Sequence, residues 1–148
     1  MTPGAIVQPG NWGRILNAYN MQGFGNAWLL AREMTYEAVR AAKYPDKPSR
    51  LSCAFAFESI DGANQKRGDY QRWSSLYEVE LVTPDAPSHR APYNLVQFPA
   101  ATTEFLPAVV QSADAYWRGE DVQIAELLTK SALRIRQVIA TGPATYQP

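Results

Sequence analysis

The order of strand-like and helix-like segments is the feature that most limits what this chain can fold into. The patterns predict a strand, a helix, a strand, a short helix, a strand, a long loop, a helix and two final strands. Strands and helices mix here without the regular alternation of a doubly wound parallel sheet. We therefore expect an α+β fold. The 148 residues show no repeat and no internal boundary, so we expect one domain over residues 1–148.

Hydrophobic spacing and capping residues predict the individual elements. One helix should run from Asn26, as its N-cap, to about Lys43, and TTEFLPAVVQSADAYW should form another, capped by Thr102 or Thr103. A short helix is expected within ESIDGANQKRGDYQRW. The expected strands are AIV, SRLSCAFAF, SLYEVELV, the apolar run after Glu126, and LRIRQVI. Residues 17–25 and the Pro-rich residues 83–101 should be loops, the second with an extended NLVQF core.

Single copies of cysteine and histidine exclude several kinds of site. Cys53 is the only cysteine, so the chain forms neither an intramolecular disulfide nor a thiolate metal cluster. His89 is the only histidine, which excludes a multi-histidine metal site. It lies in TPDAPSHRAP, and we expect it to be a solvent-facing turn residue, with nothing near it to support a Ser-His-Asp triad. The sequence therefore predicts no metal.

The charge balance gives no overall preference for nucleic acid or membrane. Fourteen basic residues match fourteen acidic ones, so a nucleic-acid partner would need a local basic patch, for example around Lys66 and Arg67. No apolar run approaches the length of a membrane-spanning helix, and no basic segment followed by an apolar core stands at the start. We expect a cytoplasmic protein with no membrane partner.

Glu126 is the side chain that most suggests chemistry. It stands between the polar loop RGEDVQ and the apolar run that begins a predicted strand. A carboxylate at the mouth of a strand, among apolar residues, is placed to act on a substrate. The letters AELLTKSA also fit a glutamate on the surface of a helix, and the sequence does not decide between these two placements.

Three blocks, in order, resemble the ADP-ribosyltransferase superfamily, and in particular small bacterial domains grouped with it. They are PGAIVQPGNWGRIL, then PSRLSCAFAFESIDGANQKRGDY with LYEVELV, and last AYWRGEDVQIAELLTKSALRIRQVI. The third contains a Glu followed by two aliphatic residues on a late strand. The resemblance implies a split pair of small mixed sheets around a central cleft, with two main helices.

The same resemblance implies NAD as the substrate and Glu126 as the catalytic residue. The family's reaction breaks the bond between nicotinamide and ribose, and a nearby carboxylate stabilises the positive charge that develops on the ribose. The acceptor would be a protein side chain or a nucleic-acid base. Such domains often serve as toxins or in phage conflict, which implies an effector of this kind in a bacterial cell.

Aromatic, basic and serine side chains on these blocks are the candidates for binding NAD. Aromatic rings would face the nicotinamide, guanidinium groups would hold the diphosphate, and a serine would correspond to the family's serine-bearing strand. The candidates are Arg14, Arg50, Ser52, Phe55, Phe57 and Tyr70. The aromatics would also serve as plain core, Arg14 as a cation–π partner of Trp12, and Arg50 as the brace of a turn.

Two departures from the family pattern bear on activity. Family members usually carry a His or Arg on a strand upstream of the Pro-Gly segment. Here we expect one of three things: Arg14 takes that role, the start of this sequence lies inside a longer reading frame, or the domain binds without catalysis. Ile124 stands where arginine-modifying toxins carry a second Glu, which argues against that activity. The sequence is also compatible with hydrolysis of NAD, and with a catalytically inactive nucleotide-binding or interaction module.

Overall fold

The computed structural model describes residues 1–22, 27–70, 74–97, 105–120 and 122–142. These residues form four α-helices and two small three-stranded sheets. The helices are α1 (Asn11–Gln22), α2 (Ala27–Lys43), α3 (Ile60–Tyr70) and α4 (Phe105–Arg118), with 3₁₀ turns at Arg50–Ser52 and Tyr93–Gln97. The strands are β1 (Ile6–Val7), β2 (Ala54–Phe57), β3 (Leu76–Leu81), β4 (Ser88–Pro92), β5 (Ala125–Thr129) and β6 (Leu133–Ala140). The α+β expectation is confirmed.

Every strand pairing in the two sheets is antiparallel. The first sheet has the order β1-β6-β3, and the second has the order β2-β5-β4. The expectation of mixed sheets was therefore wrong, and four α-helices occur in the described residues, where two main helices and one short helix were expected. The register places Glu126 on the central strand of the second sheet, opposite Phe57 on one side and Ala91 on the other.

The core lies where α2 and α4 pack against the second sheet. Tyr36, Tyr116 and Trp117 are fully buried there, and their rings meet edge to face, with centroids 5.3 Å apart for Tyr36–Tyr116 and 5.0 Å for Tyr116–Trp117. Trp117 Nε1 donates a hydrogen bond of 2.7 Å to the carbonyl of Tyr36. This contact joins the two helices and satisfies the indole N–H, as burial of a tryptophan requires.

Residues 17–22, expected to be part of a loop, complete helix α1 instead. A helix can carry polar residues on the face that is not buried, and in α1 Leu16 is buried while its neighbour Asn17 is exposed. Gly13 lets α1 approach the 3₁₀ turn closely, since a Cβ there would lie 2.3 Å from the carbonyl oxygen of Leu51. Residues 23–25 of that expected loop and the expected cap Asn26 lie outside the described residues.

The Pro-rich segment 83–101, expected to be a loop, contains the edge strand β4. Proline is tolerated on β4, which lies at the edge of the second sheet, and Pro92 stands at its last position. The expected extended NLVQF core lies mostly in a 3₁₀ turn. Residues 98–101 and the expected caps Thr102 and Thr103 lie outside the described residues.

His89, on β4, is buried, which corrects the expectation of a solvent-facing turn residue. Its ring stacks on Trp117 with centroids 5.5 Å apart. Nε2 lies 3.1 Å from the carbonyl oxygen of Tyr116, so Nε2 carries the proton and donates. Nδ1 faces Lys47 Nζ at 3.4 Å and accepts. The imidazole is therefore held neutral between a helix end and a lysine.

The other expected elements are confirmed, with different bounds. Residues 27–43, the segment after Ser59 and the segment ending at Trp117 are helical, and SLYEVELV, the run after Glu126 and LRIRQVI contain strands. SRLSCAFAF is shorter as a strand than expected, because Arg50–Ser52 form a 3₁₀ turn before β2. Within the described ranges, no helix combines the length and apolar character needed to cross a membrane.

We predict that acidification destabilises the protein through His89. Burial, reinforced by the charge of Lys47 and opposed by the hydrogen bond to Tyr116, lowers the pKa of His89 below its ordinary value of 6.5. The unfolded chain therefore binds this proton more readily. The contribution to stability is fully present above about pH 6.5 and is lost as the pH falls through the folded-state pKa.

Urea unfolding at about pH 7.5 and about pH 5 measures this effect. The free energy of unfolding should be lower at the acidic pH in the wild type, and His89→Gln should reduce that difference. Because His89 is the only histidine, the comparison isolates one imidazole. The same pH dependence in both proteins would contradict the prediction.

Candidate functional site

A cavity of about 570 Å³ lies between the two sheets and is closed on one side by α1 and α2. Val7 and Leu133 border it from the first sheet, and Phe55 and Glu126 from the second. We call it the first cavity. Its aromatic wall consists of Trp12, Trp28, Phe55 and Tyr93, and its charged lining residues are Arg32, Arg50, Lys66 and Glu126. Its volume is in the range of small-molecule sites.

Glu126 presents a buried carboxylate to this cavity. Only 2% of the residue is exposed. Its Oε2 accepts hydrogen bonds from Arg50 Nη1 at 2.6 Å and from the hydroxyl of Tyr116 at 2.8 Å. Among the described residues Oε1 has no hydrogen-bond donor, so Oε1 is the oxygen left for a ligand. The placement of Glu126 on the surface of a helix is wrong, because the residue lies on β5.

Arg50 holds Glu126 in place and is itself paired with a second carboxylate. Besides Glu126 and the Tyr116 hydroxyl, it pairs through Nε with Glu33 Oε2 at 2.9 Å, and its guanidinium lies 5.0 Å from the ring centroids of Phe55 and Tyr116. Burial alone would lower the pKa of Arg50, but the negative groups around it raise that pKa well above its usual value. Arg50 stays charged and acts as a brace.

Glu33 and Arg32, neighbours on α2, complete the ionic cluster. Burial tends to raise the pKa of Glu33, but the charges of Arg50 and Arg32 hold that pKa below its ordinary value. Arg32 Nη2 donates to Glu33 Oε1 at 2.8 Å, and Arg32 Nη1 donates to the carbonyl of Val96. Arg32 Nε and Trp12 Nε1 are buried donors without an acceptor in the part of the chain that the structure describes. Both residues border the first cavity.

Lys66, on α3, adds a third cation to the cavity wall. Its Nζ lies 5.6 Å from the ring centroid of Phe57 and 5.5 Å from that of Tyr93. Burial lowers the pKa of Lys66, and the nearby Glu126 carboxylate opposes that effect. The charged lining residues are thus three cations and one carboxylate, which favours an anionic ligand. Across the described ranges no three His, Cys, Asp or Glu side chains converge to hold a metal ion.

The structure brings only some of the candidate residues together. Glu126, Arg50 and Phe55 all border the first cavity. Phe57 is two residues along β2, edge-on to Tyr93 with centroids 5.1 Å apart. Like Phe57, two further candidates are not among the residues that border the first cavity. Arg14 is exposed and donates to the carbonyl of Pro9 at 3.3 Å, and Ser52 accepts a hydrogen bond of 2.6 Å from Lys130. Tyr70 ends α3, and its side chain lies outside the described part of the structure.

Several residues of the site were not among the candidates from the sequence. They are Arg32, Glu33, Lys66, Tyr93 and Tyr116. The sequence does contain an indication that Glu33 is buried. Glu33 falls on the apolar face of α2, four residues after Leu29 and three before Tyr36. A charge inside such a stripe indicates a buried partner. Lys66 and Tyr93 had no comparable signal, since the tertiary fold alone brings them together.

We predict that Arg50→Met destabilises the protein strongly. The substitution leaves the buried carboxylates of Glu33 and Glu126 without their shared cation, and breaking a buried pair in this way costs about 3–5 kcal/mol. Urea unfolding measures the loss. Arg90→Met is the matched control, because its pair with Glu58 is exposed, with 55% and 43% of the two side chains accessible. That control should lose about 1 kcal/mol or less, and equal losses would contradict the prediction.

Comparison with known proteins identifies the family to which the chain belongs. A family model described as "Protein of unknown function (DUF2441)" matches residues 11–141. That range begins with α1 and extends just beyond β6, so it includes every charged residue of the first cavity. No curated protein matches the chain at a significant level. Because the family model spans most of the sequence, the protein belongs to the DUF2441 family.

Proposed function

We propose that the first cavity binds NAD and that the protein transfers ADP-ribose from it to a macromolecular acceptor. The observation that carries this proposal is the position of the Glu126 carboxylate. Arg50 and Tyr116 hold one of its oxygens by hydrogen bonds, and the residue borders a cavity of ligand size. The net positive charge of the cavity wall favours the diphosphate of a dinucleotide, although Arg50 is already paired with Glu33 and Glu126.

The chemistry needs a carboxylate of this kind. When the bond between nicotinamide and ribose breaks, nicotinamide leaves with the bonding electrons and positive charge develops on the ribose. A fixed negative group in a site shielded from water stabilises that charge without having to reorient. Oε1 of Glu126 would serve this role while Oε2 stays bound to Arg50. The acceptor's nucleophile then bonds to the anomeric carbon and gives up its proton.

The sheets support the same proposal at the level of the fold. Both sheets contribute to the wall of the first cavity, through β1 and β6 on one side and β2 and β5 on the other. We propose that this gap is the cleft of an ADP-ribosyltransferase-like domain. Phe55 and Tyr93 provide aromatic faces for the nicotinamide ring, each worth about 1 kcal/mol in a good stacking pair.

The acceptor we propose is a protein side chain or a nucleic-acid base, with the protein acting as a toxin or phage-conflict effector in the cytoplasm. Transfer to arginine is not proposed, because Ile124 occupies the position of the second carboxylate and packs beside Gly62. Hydrolysis of NAD and binding without catalysis are separate outcomes of the experiment that follows.

We predict that Glu126→Gln abolishes most of the release of nicotinamide from NAD. The variant keeps the size of the side chain but removes the charge, and loss of one electrostatic group aimed at the transition state costs about 100- to 1000-fold in rate. Chromatography of free nicotinamide, with and without a candidate acceptor, gives the rate. Calorimetric titration with NAD should show affinity within about threefold of the wild type, because ground-state binding rests on other groups.

Two further variants complete this experiment. Glu120→Gln is the matched control, since 66% of that side chain is exposed, and it should leave the rate unchanged. Glu126→Asp keeps the charge in the buried cluster but withdraws it from the cavity, so a folded Glu126→Asp protein should also be slow. Nicotinamide release that needs no acceptor would indicate hydrolysis, and binding without release would indicate a non-catalytic module. Failure of the wild type to bind NAD would contradict the proposal.

A further inference from the structure

A second cavity, of about 670 Å³, adjoins the first between the two sheets. Val7, Phe55, Lys66 and Leu133 border both cavities, so the two share a wall and meet beside Lys66. The second cavity extends from there along α3 towards β3 and the far end of β6. Each cavity alone is large enough for one nucleoside-sized group. The shared residues make them two parts of one elongated space.

Lys66 is the charge at the junction. Its ammonium lies over the rings of Phe57 and Tyr93. In the described part of the chain, Lys66 Nζ has no hydrogen-bond acceptor and no ion-pair partner, in contrast to Arg32 and Arg50, which are tied to Glu33. A half-buried cation without a partner is unfavourable, and a ligand phosphate would supply the missing acceptors.

The two cavities differ in their charge. The wall of the first cavity has three cations and one carboxylate, so it carries a net positive charge. The second has two carboxylates, Glu58 and Glu78, and two cations, Lys66 and Arg67, so its charges balance. Its wall is otherwise largely aromatic and aliphatic. A ligand that fits both has a ring system at each end and negative charge in the middle.

We propose that the two cavities together bind one dinucleotide, with its diphosphate against Lys66. The half that carries nicotinamide and its ribose lies in the first cavity beside Glu126, and the other nucleoside lies in the second. This inference rests on the proposed function, because it takes the ribose at Glu126 as the reacting one. It adds a phosphate-binding residue on α3 and a nucleoside site between α3 and the first sheet.

Calorimetric titration of four compounds tests the inference: NAD, nicotinamide mononucleotide, AMP and nicotinamide riboside. Lys66→Met keeps the apolar stem and removes the charge. It should weaken binding of the three phosphate-bearing compounds by about tenfold or more, as expected for a lost charged hydrogen bond. Nicotinamide riboside has no phosphate and should be unaffected. Lys43→Met is the matched control, since 58% of the Lys43 side chain is exposed away from both cavities.

Filling the second cavity gives an independent readout. Ala63→Phe places a ring in the second cavity only. It should weaken the binding of NAD and AMP by about tenfold and leave the affinity for nicotinamide mononucleotide unchanged. Ile139→Trp fills the same cavity from β6, at a residue that is 39% exposed and tolerates a larger side chain. Thermal unfolding of each variant shows that it is folded before it is titrated.

The outcomes separate this inference from the proposed function. If the wild type binds NAD but Lys66→Met and both cavity-filling variants bind it equally well, the inference is overturned and the proposed function stands. If NAD is bound with the expected losses but no nicotinamide is released, the inference stands and catalysis is overturned. If none of the four compounds binds the wild type, both this inference and the proposed function are overturned.

Discussion

The buried guanidinium of Arg50 is the group on which the rest of the structure depends. It lies between the carboxylates of Glu33 and Glu126 and donates to the hydroxyl of Tyr116. Removing charges from water is unfavourable by several kcal/mol for each ion, and only well-formed pairs offset that loss. Because these four residues come from the 3₁₀ turn, α2, β5 and α4, the pairs form only when all four elements are packed together.

This cluster also determines what the cavity can do. The guanidinium of Arg50 already braces two carboxylates, so its main contribution to the site is to position Glu126. The phosphates of the ligand that we propose would then need another cation. Lys66 is the cation whose charge faces the cavities without a partner among the described residues. In our proposal, structural bracing and ligand binding are thus divided between two basic residues.

How far the sequence predicted the structure depended on whether the signal was local. The helix ending at Lys43 and the strands around Glu126 followed from hydrophobic spacing over several turns or pleats. The second half of α1 was missed because residues 17–22 carry few of the apolar positions that predict a helix. Strand β4 was missed because prolines mask an edge strand whose pairing with β5 is a tertiary event. Glu126 could be chosen from its place before an apolar run. Lys66 could not, because the sequence of α3 does not indicate which cavity this short helix borders.

The buried thiol of Cys53 can report when the structure around it opens. The single thiol of the chain is fully inaccessible, borders the first cavity, and has a pKa raised to about 11 because burial disfavours the thiolate. An alkylating reagent therefore reaches it only when the packing around it opens. The labelling rate at neutral pH measures that opening, with no engineered probe to disturb the protein. A ligand that bridges the sheets would slow the labelling in proportion to its occupancy.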